Sequence, residues 1–177
     1  MTATIRDIDE QLVLVDERDR EIGTCEKLKA HHDGRLHRAF SVFIFDASGE
    51  LLLQRRAAGK YHSGGLWSNT CCGHPRPGEP AAAAAARRLR EEMGFSAPLR
   101  HRFSVTYELA VGTDLYEHEY NHVFTGSFDE SPQPDPGEVQ DWRWASPADI
   151  LADMRAHESK YTAWFRVILP QVLAAAG

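Results

Sequence analysis

Histidine and glutamate residues with metal-ligand character recur along this chain. His31 and His37 flank a short turn before an apolar run, and His74 follows two adjacent cysteines. Glu117 and Glu119 stand two residues apart in a stretch that we predict to be a strand, so their side chains project from one face. Three imidazoles and two carboxylates suit six-coordinate Mn²⁺, Mg²⁺ or Zn²⁺ and do not suit a tetrahedral structural zinc. The pattern predicts one metal site assembled from distant segments.

The other histidines of the chain are expected to have no ligand role. A lone histidine is more often a surface residue or a hydrogen-bonded core residue than a metal ligand. We give this interpretation to His62, His101, His118, His122 and His157.

Residues 69–95, NTCCGHPRPGEPAAAAAARRLREEMGF, predict a constrained loop followed by a helix. Prolines and glycines punctuate the first half, whereas six consecutive alanines favour helix in the second. Pro80 suits the first helical turn and Gly94 suits the position after the last turn. The helix is therefore expected to begin directly after the loop.

Charged residues on this helix are spaced to share faces. Arg87 lies four residues before Glu91, and Arg88 lies four residues before Glu92. Exposed ion pairs of this kind usually contribute little to the stability of a protein. Taken alone, these two pairs indicate a solvated helix face. Because the leading loop carries Cys72 beside a candidate metal ligand, carboxylates, an imidazole and a thiol are expected to converge here.

The remaining elements must bring these residues together. We predict strands over residues 11–16, 103–111, 120–128 and 139–144, a β-hairpin over 40–53, and helices over 26–32, from Pro80 to near Gly94, from Ser146 to about His157, and over 162–175 with a kink or break at Pro170. Strands and helices interleave irregularly. This order favours an α/β fold in which a mixed β-sheet is sandwiched between helices.

Composition limits the class of protein. The 177 residues suit one domain spanning 1–177, and the net charge of −6 predicts no general nucleic-acid surface. No apolar run approaches a membrane span and the first ten residues do not resemble a signal peptide, so we expect a cytoplasmic protein. Three cysteines, two of them adjacent, argue against a disulfide framework.

The 69–95 stretch resembles a Nudix box. The residues that occupy the positions of that pattern are Gly73, Glu79, Arg87, Leu89, Glu91, Glu92, Gly94 and Phe95. Arg88 departs from it, because the family has Glu at this place. The resemblance implies the Nudix fold, with an α/β/α sandwich.

Further segments resemble one family within this fold, the type I isopentenyl-diphosphate isomerases. They are LHRAF (residues 36–40), LLLQRRA, GLWSNTCCGHP (65–75), the box with Arg88, and LYEHE (115–119), and they extend the resemblance from about Lys27 to Trp164. It implies interconversion of isopentenyl and dimethylallyl diphosphates by protonation of one carbon and deprotonation of another.

The resemblance also implies roles for individual residues. Glu119 and Tyr107 would lie on the side of the substrate where the proton is added. Cys72 would lie on the opposite side of the substrate and exchange a proton as a thiolate. The remaining implied roles are metal binding by His31, His37, His74, Glu117 and Glu119; diphosphate binding by Lys27, Arg56 and Lys60; a second Mg²⁺ held against the diphosphate by Glu92; and stabilisation of the carbocation by Trp164.

Some assignments stay open at this point. The interval between His31 and His37 is one residue shorter than in bacterial relatives, so His32 is an alternative ligand to His31. Trp67 could belong to the pocket or to the core, whereas Cys71 and Cys25 have no implied role. Two other functions compete: a Nudix hydrolase of nucleoside diphosphates, and a metal- or diphosphate-binding module without turnover. We expect a monomer or weak dimer.

Overall fold

The structure, a computed structural model, describes residues 10–176. Within this range one mixed sheet contains nine strands. The strands are β1 (Gln11–Val15), β2 (Glu21–Glu26), β3 (His37–Phe45), β4 (Leu51–Arg56), β5 (Trp67–Ser68), β6 (Cys71–Gly73), β7 (Arg100–Gly112), β8 (Leu115–Ser127) and β9 (Val139–Ala145). The helices are α1 (Lys27–His32), α2 (Ala81–Met93), α3 (Pro147–Ala156) and α4 (Ala163–Ala176), with a 3₁₀ turn at Glu158–Lys160 between the last two.

Strand β3 organises the sheet. It pairs in parallel with β8 over its whole length, from His37 opposite Glu119 to Phe45 opposite Ser127. It also pairs antiparallel with β6, where Ser41 lies opposite Cys72. Because β6 and β8 pair with the same stretch of β3, they must lie along its two opposite edges. Residues on β6 and β8 therefore approach a common region from either side of β3.

Alternation along β3 produces a hydrophobic core on each face of the sheet. On one face Phe43 packs in a cluster with Phe165 and Ile168 of α4. On the other face Val42 and Ile44 pack in a cluster with Leu89 of α2. Apolar residues of β3 are thus buried on both sides, as expected for a strand covered by helices on both faces. The predicted mixed sheet between helical layers is confirmed.

Helix α2 begins and ends close to the predicted positions. Pro80 precedes it as the N-terminal cap residue and does not form part of the first turn. Gly94 ends it in the left-handed region, at φ +77°, and a Cβ at this position would lie 2.2 Å from the carbonyl oxygen of Gln133. Both the backbone angle and the close approach require glycine here.

Other predictions were wrong in detail. The hairpin predicted over residues 40–53 is present as the antiparallel pair of β3 and β4, but the two strands share a single register pair, Phe45 with Leu51. The exposed strand β2 was not predicted, because it lacks apolar alternation. The short strands β5 and β6 were not predicted. Pro170 lies inside α4, which continues to Ala176.

None of the helices in the described part of the chain combines the length and apolar character that crossing a bilayer would require.

Candidate active site

Three histidines and one glutamate form a buried cluster that could hold a metal ion. Each of His31, His37, His74 and Glu117 offers a ligand atom, and these atoms lie within 4.8 Å of one another. His31 comes from α1, His37 from the start of β3, His74 from the residue after β6, and Glu117 from β8. The sheet therefore brings together residues separated by more than eighty positions.

Hydrogen bonds to backbone carbonyls fix the orientation of two of these imidazoles. His31 Nδ1 lies 2.7 Å from the Lys27 carbonyl oxygen, and His37 Nδ1 lies 2.8 Å from the Arg35 carbonyl oxygen. Because a carbonyl only accepts, each Nδ1 carries the hydrogen and donates it. In the neutral ring each Nε2 then carries the lone pair and directs it at the cluster, as metal-binding histidines commonly do. The buried Nε2 of His37 has no hydrogen-bond partner among the described residues, which fits a ligand atom.

The structure distinguishes His31 from His32. The His31 side chain is fully buried and its Nε2 lies 3.1 Å from Glu117 Oε2. The His32 side chain is 68% exposed and lies beside Asp33. Although the interval to His37 is short, it is His31 that faces the cluster.

Opposing effects set the pKa of the Glu117 carboxyl. Burial by itself raises this pKa, but the neighbouring His31 and His62 outweigh it and hold the pKa well below its usual range. Glu117 is therefore a carboxylate, the form that ligates a cation.

Glu119 lies beside the cluster and adjoins a hydrogen-bond network on β7 and β8. Its Oε1 is 3.1 Å from His74 Nε2 and 3.7 Å from His37 Nε2. Its Oε2 accepts hydrogen bonds from the Tyr107 hydroxyl at 2.5 Å and from Asn121 Nδ2 at 2.9 Å. One oxygen of Glu119 thus faces the candidate metal ligands and the other is held by two donors.

The two adjacent cysteines lie in different surroundings. Cys71 is fully buried in the core beneath α2, whereas Cys72 is partly exposed and lines a cavity of about 640 Å³. Burial raises the pKa of the Cys72 thiol to about 12, although Arg56 opposes the shift. In this state Cys72 is a protonated thiol, not the thiolate that the resemblance implies.

Arg56 and Trp164 form a pair in the wall of the same cavity. The guanidinium carbon of Arg56 lies 5.2 Å from the centre of the Trp164 ring, within the range of a cation–π contact. Arg56 Nη2 donates to the carbonyl oxygen of His62 at 3.3 Å. The guanidinium carbon of Arg143 lies 4.6 Å from the centre of the Trp67 ring. Trp164 lines the cavity and Trp67 does not, so Trp164 is the better candidate of the two for the pocket.

The lysines predicted to bind an anion already contact carboxylates in this cavity. Lys27 Nζ lies 2.7 Å from Glu10 Oε2, and Lys60 Nζ forms an ion pair with Glu138. Glu10 and Glu138 also line the cavity. The ammonium groups of both lysines are thus paired with carboxylates at the place where we predicted anion binding.

Glu92 on α2 is buried against Arg88 of the same helix. Arg88 Nη2 contacts Glu92 Oε1 at 2.5 Å, and Gln54 Nε2 donates to Glu92 Oε2 at 2.9 Å. Arg88 also contacts Glu91 and Glu138. The arginine that departs from the Nudix pattern therefore compensates a group of carboxylates at the cavity wall.

Three residues of this site were missed by the sequence interpretation. His62 was interpreted as an ordinary histidine, yet it is 6% exposed and its Nε2 lies 2.7 Å from Glu117 Oε1. Asn121 continues the two-residue alternation of Glu117 and Glu119 on β8, so that pattern could have identified it. Glu138 stands in a proline-rich loop, and no sequence signal indicated its role.

Comparisons with known proteins show which sequences this chain is similar to. The NUDIX domain family model matches residues 35–165. Isopentenyl-diphosphate Delta-isomerase of Burkholderia multivorans is 52% identical over 162 residues, which cover 92% of this chain and 92% of the relative. Isopentenyl-diphosphate Delta-isomerase 2 of Aromatoleum aromaticum is 49% identical over 167 residues, which cover 94% of this chain and 88% of the relative.

Solved structures show the same fold. The crystal structure of DR0079 from Deinococcus radiodurans superposes with a TM-score of 0.77 at 22% identity, covering 92% of this chain and 98% of that one. The NUDIX domain of Shewanella oneidensis NrtR, solved with ADP ribose, superposes with a TM-score of 0.62 at 16% identity, covering 80% of this chain and 88% of that domain.

Proposed function

This chain belongs to the isopentenyl-diphosphate Delta-isomerase family of Nudix-domain proteins, and on that premise we propose that it converts isopentenyl diphosphate to dimethylallyl diphosphate with the help of divalent cations. The observation that carries the proposal is the position of two proton-transfer candidates. Cys72 on β6 and Glu119 on β8 line one cavity and come from strands on opposite edges of β3.

The reaction needs one proton donor and one proton acceptor. A proton adds to the terminal CH₂ carbon of isopentenyl diphosphate, which becomes a methyl group and leaves a tertiary carbocation. A second proton then leaves the carbon next to the CH₂–O group, and its electron pair forms the new double bond. One proton enters and one leaves, so the product is an isomer of the substrate.

Cys72 and the pair Tyr107–Glu119 would supply these two functions. The Tyr107 hydroxyl remains protonated, because burial and the neighbouring carboxylates raise its pKa well above the usual range. The pKa of the Glu119 carboxyl is lowered: burial and Glu117 raise it, but His37 and His74 outweigh them. A thiol on one strand and a carboxylate with its phenol on the other form a matched donor and acceptor, and either direction of transfer is open to a reversible reaction.

The cavity walls would hold the diphosphate and protect the cation formed during turnover. Arg56 and Lys60, together with Lys27, provide a bidentate fork and point charges for phosphate oxygens. The buried indole of Trp164 would place its negative π face toward the carbocation. Removal of this intermediate from water would prevent its capture as an alcohol.

Metal ions would contribute at two places. His31, His37, His74, Glu117 and Glu119 would hold Mn²⁺, Zn²⁺ or Mg²⁺, and Glu92 would hold Mg²⁺ against the diphosphate. A cation at either place supplies positive charge that increases the acidity of neighbouring protons and neutralises phosphate oxygens. The carbonyl-oriented imidazoles and the buried carboxylates fit the first of these groups.

One assay tests the proposal against both alternatives. The purified protein is incubated with isopentenyl diphosphate, Mg²⁺ and Mn²⁺, and the products are followed by NMR. We expect dimethylallyl diphosphate. Release of phosphate would instead indicate a hydrolase, and an unchanged substrate would indicate a binding module. Arg88 argues against hydrolysis, because it stands where the Nudix pattern has a Glu that hydrolases commonly use for metal binding.

We further propose that the protein acts in the cytoplasm as a monomer or weak dimer, without nucleic-acid or membrane partners. The net charge of −6 supports the absence of nucleic-acid binding.

A further inference from the structure

His62 is a buried imidazole in the segment between β4 and β5, directed at the candidate metal cluster. Its side chain is 3% exposed, and its Nε2 lies 2.7 Å from Glu117 Oε1. The segment can fold this closely because Gly64 has no side chain: a Cβ there would lie 2.6 Å from the carbonyl oxygen of Ala58. Gly64 thus allows the backbone that carries His62 to lie close to Ala58.

The two oxygens of Glu117 face different histidines. Oε2 lies 3.1 Å from His31 Nε2 and 4.0 Å from His37 Nε2, on the side of the cluster. Oε1 faces His62 on the other side. This arrangement is typical of a carboxylate that ligates a cation through one oxygen while a second residue holds the other oxygen.

The hydrogen-bond state of His62 is compatible with a donor at Nε2. His62 Nδ1 lies 3.1 Å from Ser63 Oγ, whose hydroxyl can donate to it and leave the ring hydrogen on Nε2. Glu117 Oε1 does not lie along the direction of the His62 Nε2–H bond. Although the two atoms are close, the buried Nε2 therefore has no hydrogen-bond partner within residues 10–176. Rotation of the carboxylate about its last bond, which has a broad torsional preference, would align the two groups.

His62 also contacts the substrate side of the cavity. Its ring lies edge-on to Trp164, with centres 5.7 Å apart and planes at 82°. Its carbonyl oxygen accepts the hydrogen bond from Arg56 Nη2 at 3.3 Å. His62 thus contacts a candidate metal ligand, Glu117, the aromatic wall residue Trp164, and Arg56, which is a candidate for binding the diphosphate.

We propose that His62 is a positioning residue that holds Glu117 Oε1 and thereby orients Oε2 toward the bound cation, while its ring fixes the adjacent face of Trp164. The proposal rests on the metal-dependent function proposed above. It assigns to His62 a role in metal affinity, which can be measured without substrate or turnover.

The test compares a variant that keeps a donor with one that removes it. In His62→Gln the amide nitrogen can reach the position of Nε2, whereas His62→Phe keeps the ring shape without a donor. Mn²⁺ affinity is measured by electron paramagnetic resonance of the free ion. We expect Mn²⁺ binding about 10–100-fold weaker in His62→Phe and restored in His62→Gln. His101→Phe, which changes an exposed histidine outside the cavity lining, serves as the matched control and should bind like the wild type.

Two results would overturn the proposal: wild-type Mn²⁺ affinity in His62→Phe, or equal loss in His62→Gln and His62→Phe. Circular dichroism of the metal-free variants checks folding, and His62→Leu replaces His62→Phe with the same expectation if the latter does not fold. The isomerase assay is run separately on the wild type. Tight Mn²⁺ binding without isomerisation would contradict the proposed reaction and leave the role of His62 in metal binding intact.

Discussion

Tyr107 and Glu119 lie opposite each other on β7 and β8, and the phenol donates a 2.5 Å hydrogen bond to Glu119 Oε2. Asn121 donates to the same oxygen at 2.9 Å. The carboxylate therefore keeps one donor when the phenol is removed. This redundancy allows the chemical role of the hydroxyl to be separated from its role in positioning.

Replacement of Tyr107 by Phe should lower kcat by about 10²-fold or more, because a proton-transfer group is lost while the ring still fills its place in the core. Metal content and the unfolding temperature are measured in parallel, and both should stay close to the wild type. Tyr120→Phe is the matched control, since Tyr120 alternates to the other face of β8. An unchanged kcat in Tyr107→Phe would limit the phenol to a structural role.

The two adjacent cysteines give a second matched pair. Cys72→Ser should lower kcat by about 10²–10⁴-fold, because a hydroxyl scarcely ionises and cannot exchange a proton with the substrate carbon. Cys71→Ser changes a core residue and should affect stability more than turnover. Steady-state kinetics corrected for the folded fraction provide the comparison. Similar losses in both variants would argue against Cys72 as a proton-transfer group.

The raised pKa of Cys72 predicts a particular pH dependence of alkylation. Burial raises this pKa from its ordinary value of 9.0 to about 12, so the unreactive thiol form persists up to a higher pH in the folded protein. Since only the thiolate reacts, the rate of alkylation by iodoacetamide should rise about tenfold per pH unit from pH 7 to 10 without a plateau. Mass spectrometry of the Cys72 peptide measures the rate in metal-free protein. A rate that levels off between pH 9 and 10, as an unshifted thiol would show, would contradict the shift.

Cationic residues in the cavity should act mainly on substrate affinity. Arg56→Ala and Lys60→Ala each remove a charge-assisted contact present in both the bound substrate and the transition state, so KM should rise by about 10–100-fold and more than kcat falls. In Lys60→Ala the Glu138 carboxylate would lose one of its two cationic partners, keep Arg88, and repel the diphosphate more strongly. Arg55→Ala is the control, because Arg55 donates to the Gly65 carbonyl oxygen outside the cavity lining. An unchanged KM in both test variants would exclude these residues from diphosphate binding.

Substitution of the two adjacent histidines at the end of α1 should have different effects on the metal content of the protein. His31→Ala, His74→Ala and Glu117→Ala each remove a buried ligand atom and should lose bound metal, whereas the exposed His32→Ala should retain it. Wild-type affinity should decrease as the pH falls through the histidine range, since protonated imidazoles cannot ligate. Elemental analysis after dialysis measures occupancy. Full retention in His74→Ala and Glu117→Ala would rule out the proposed ligand set.

Much of the candidate site could be predicted from sequence because its residues stand in local patterns with a physical meaning. The two-residue spacing of Glu117 and Glu119 requires a common face on any strand. The alanine run and Gly94 define the box helix through intrinsic helix preference and a backbone angle that favours glycine. The family resemblance then supplied roles for Cys72 and Tyr107 that no local pattern contains.

Only the tertiary structure decided which distant groups meet. The choice of His31 over His32 depends on how α1 packs against β8, because both residues have the same local sequence environment. The closeness of His62 to Glu117 depends on a folded segment between β4 and β5, and the contact of Lys60 with Glu138 joins residues 78 positions apart. Such contacts arise from the order of the strands in the sheet and from the packing of loops. The conformational preferences of short sequence segments do not specify either of these.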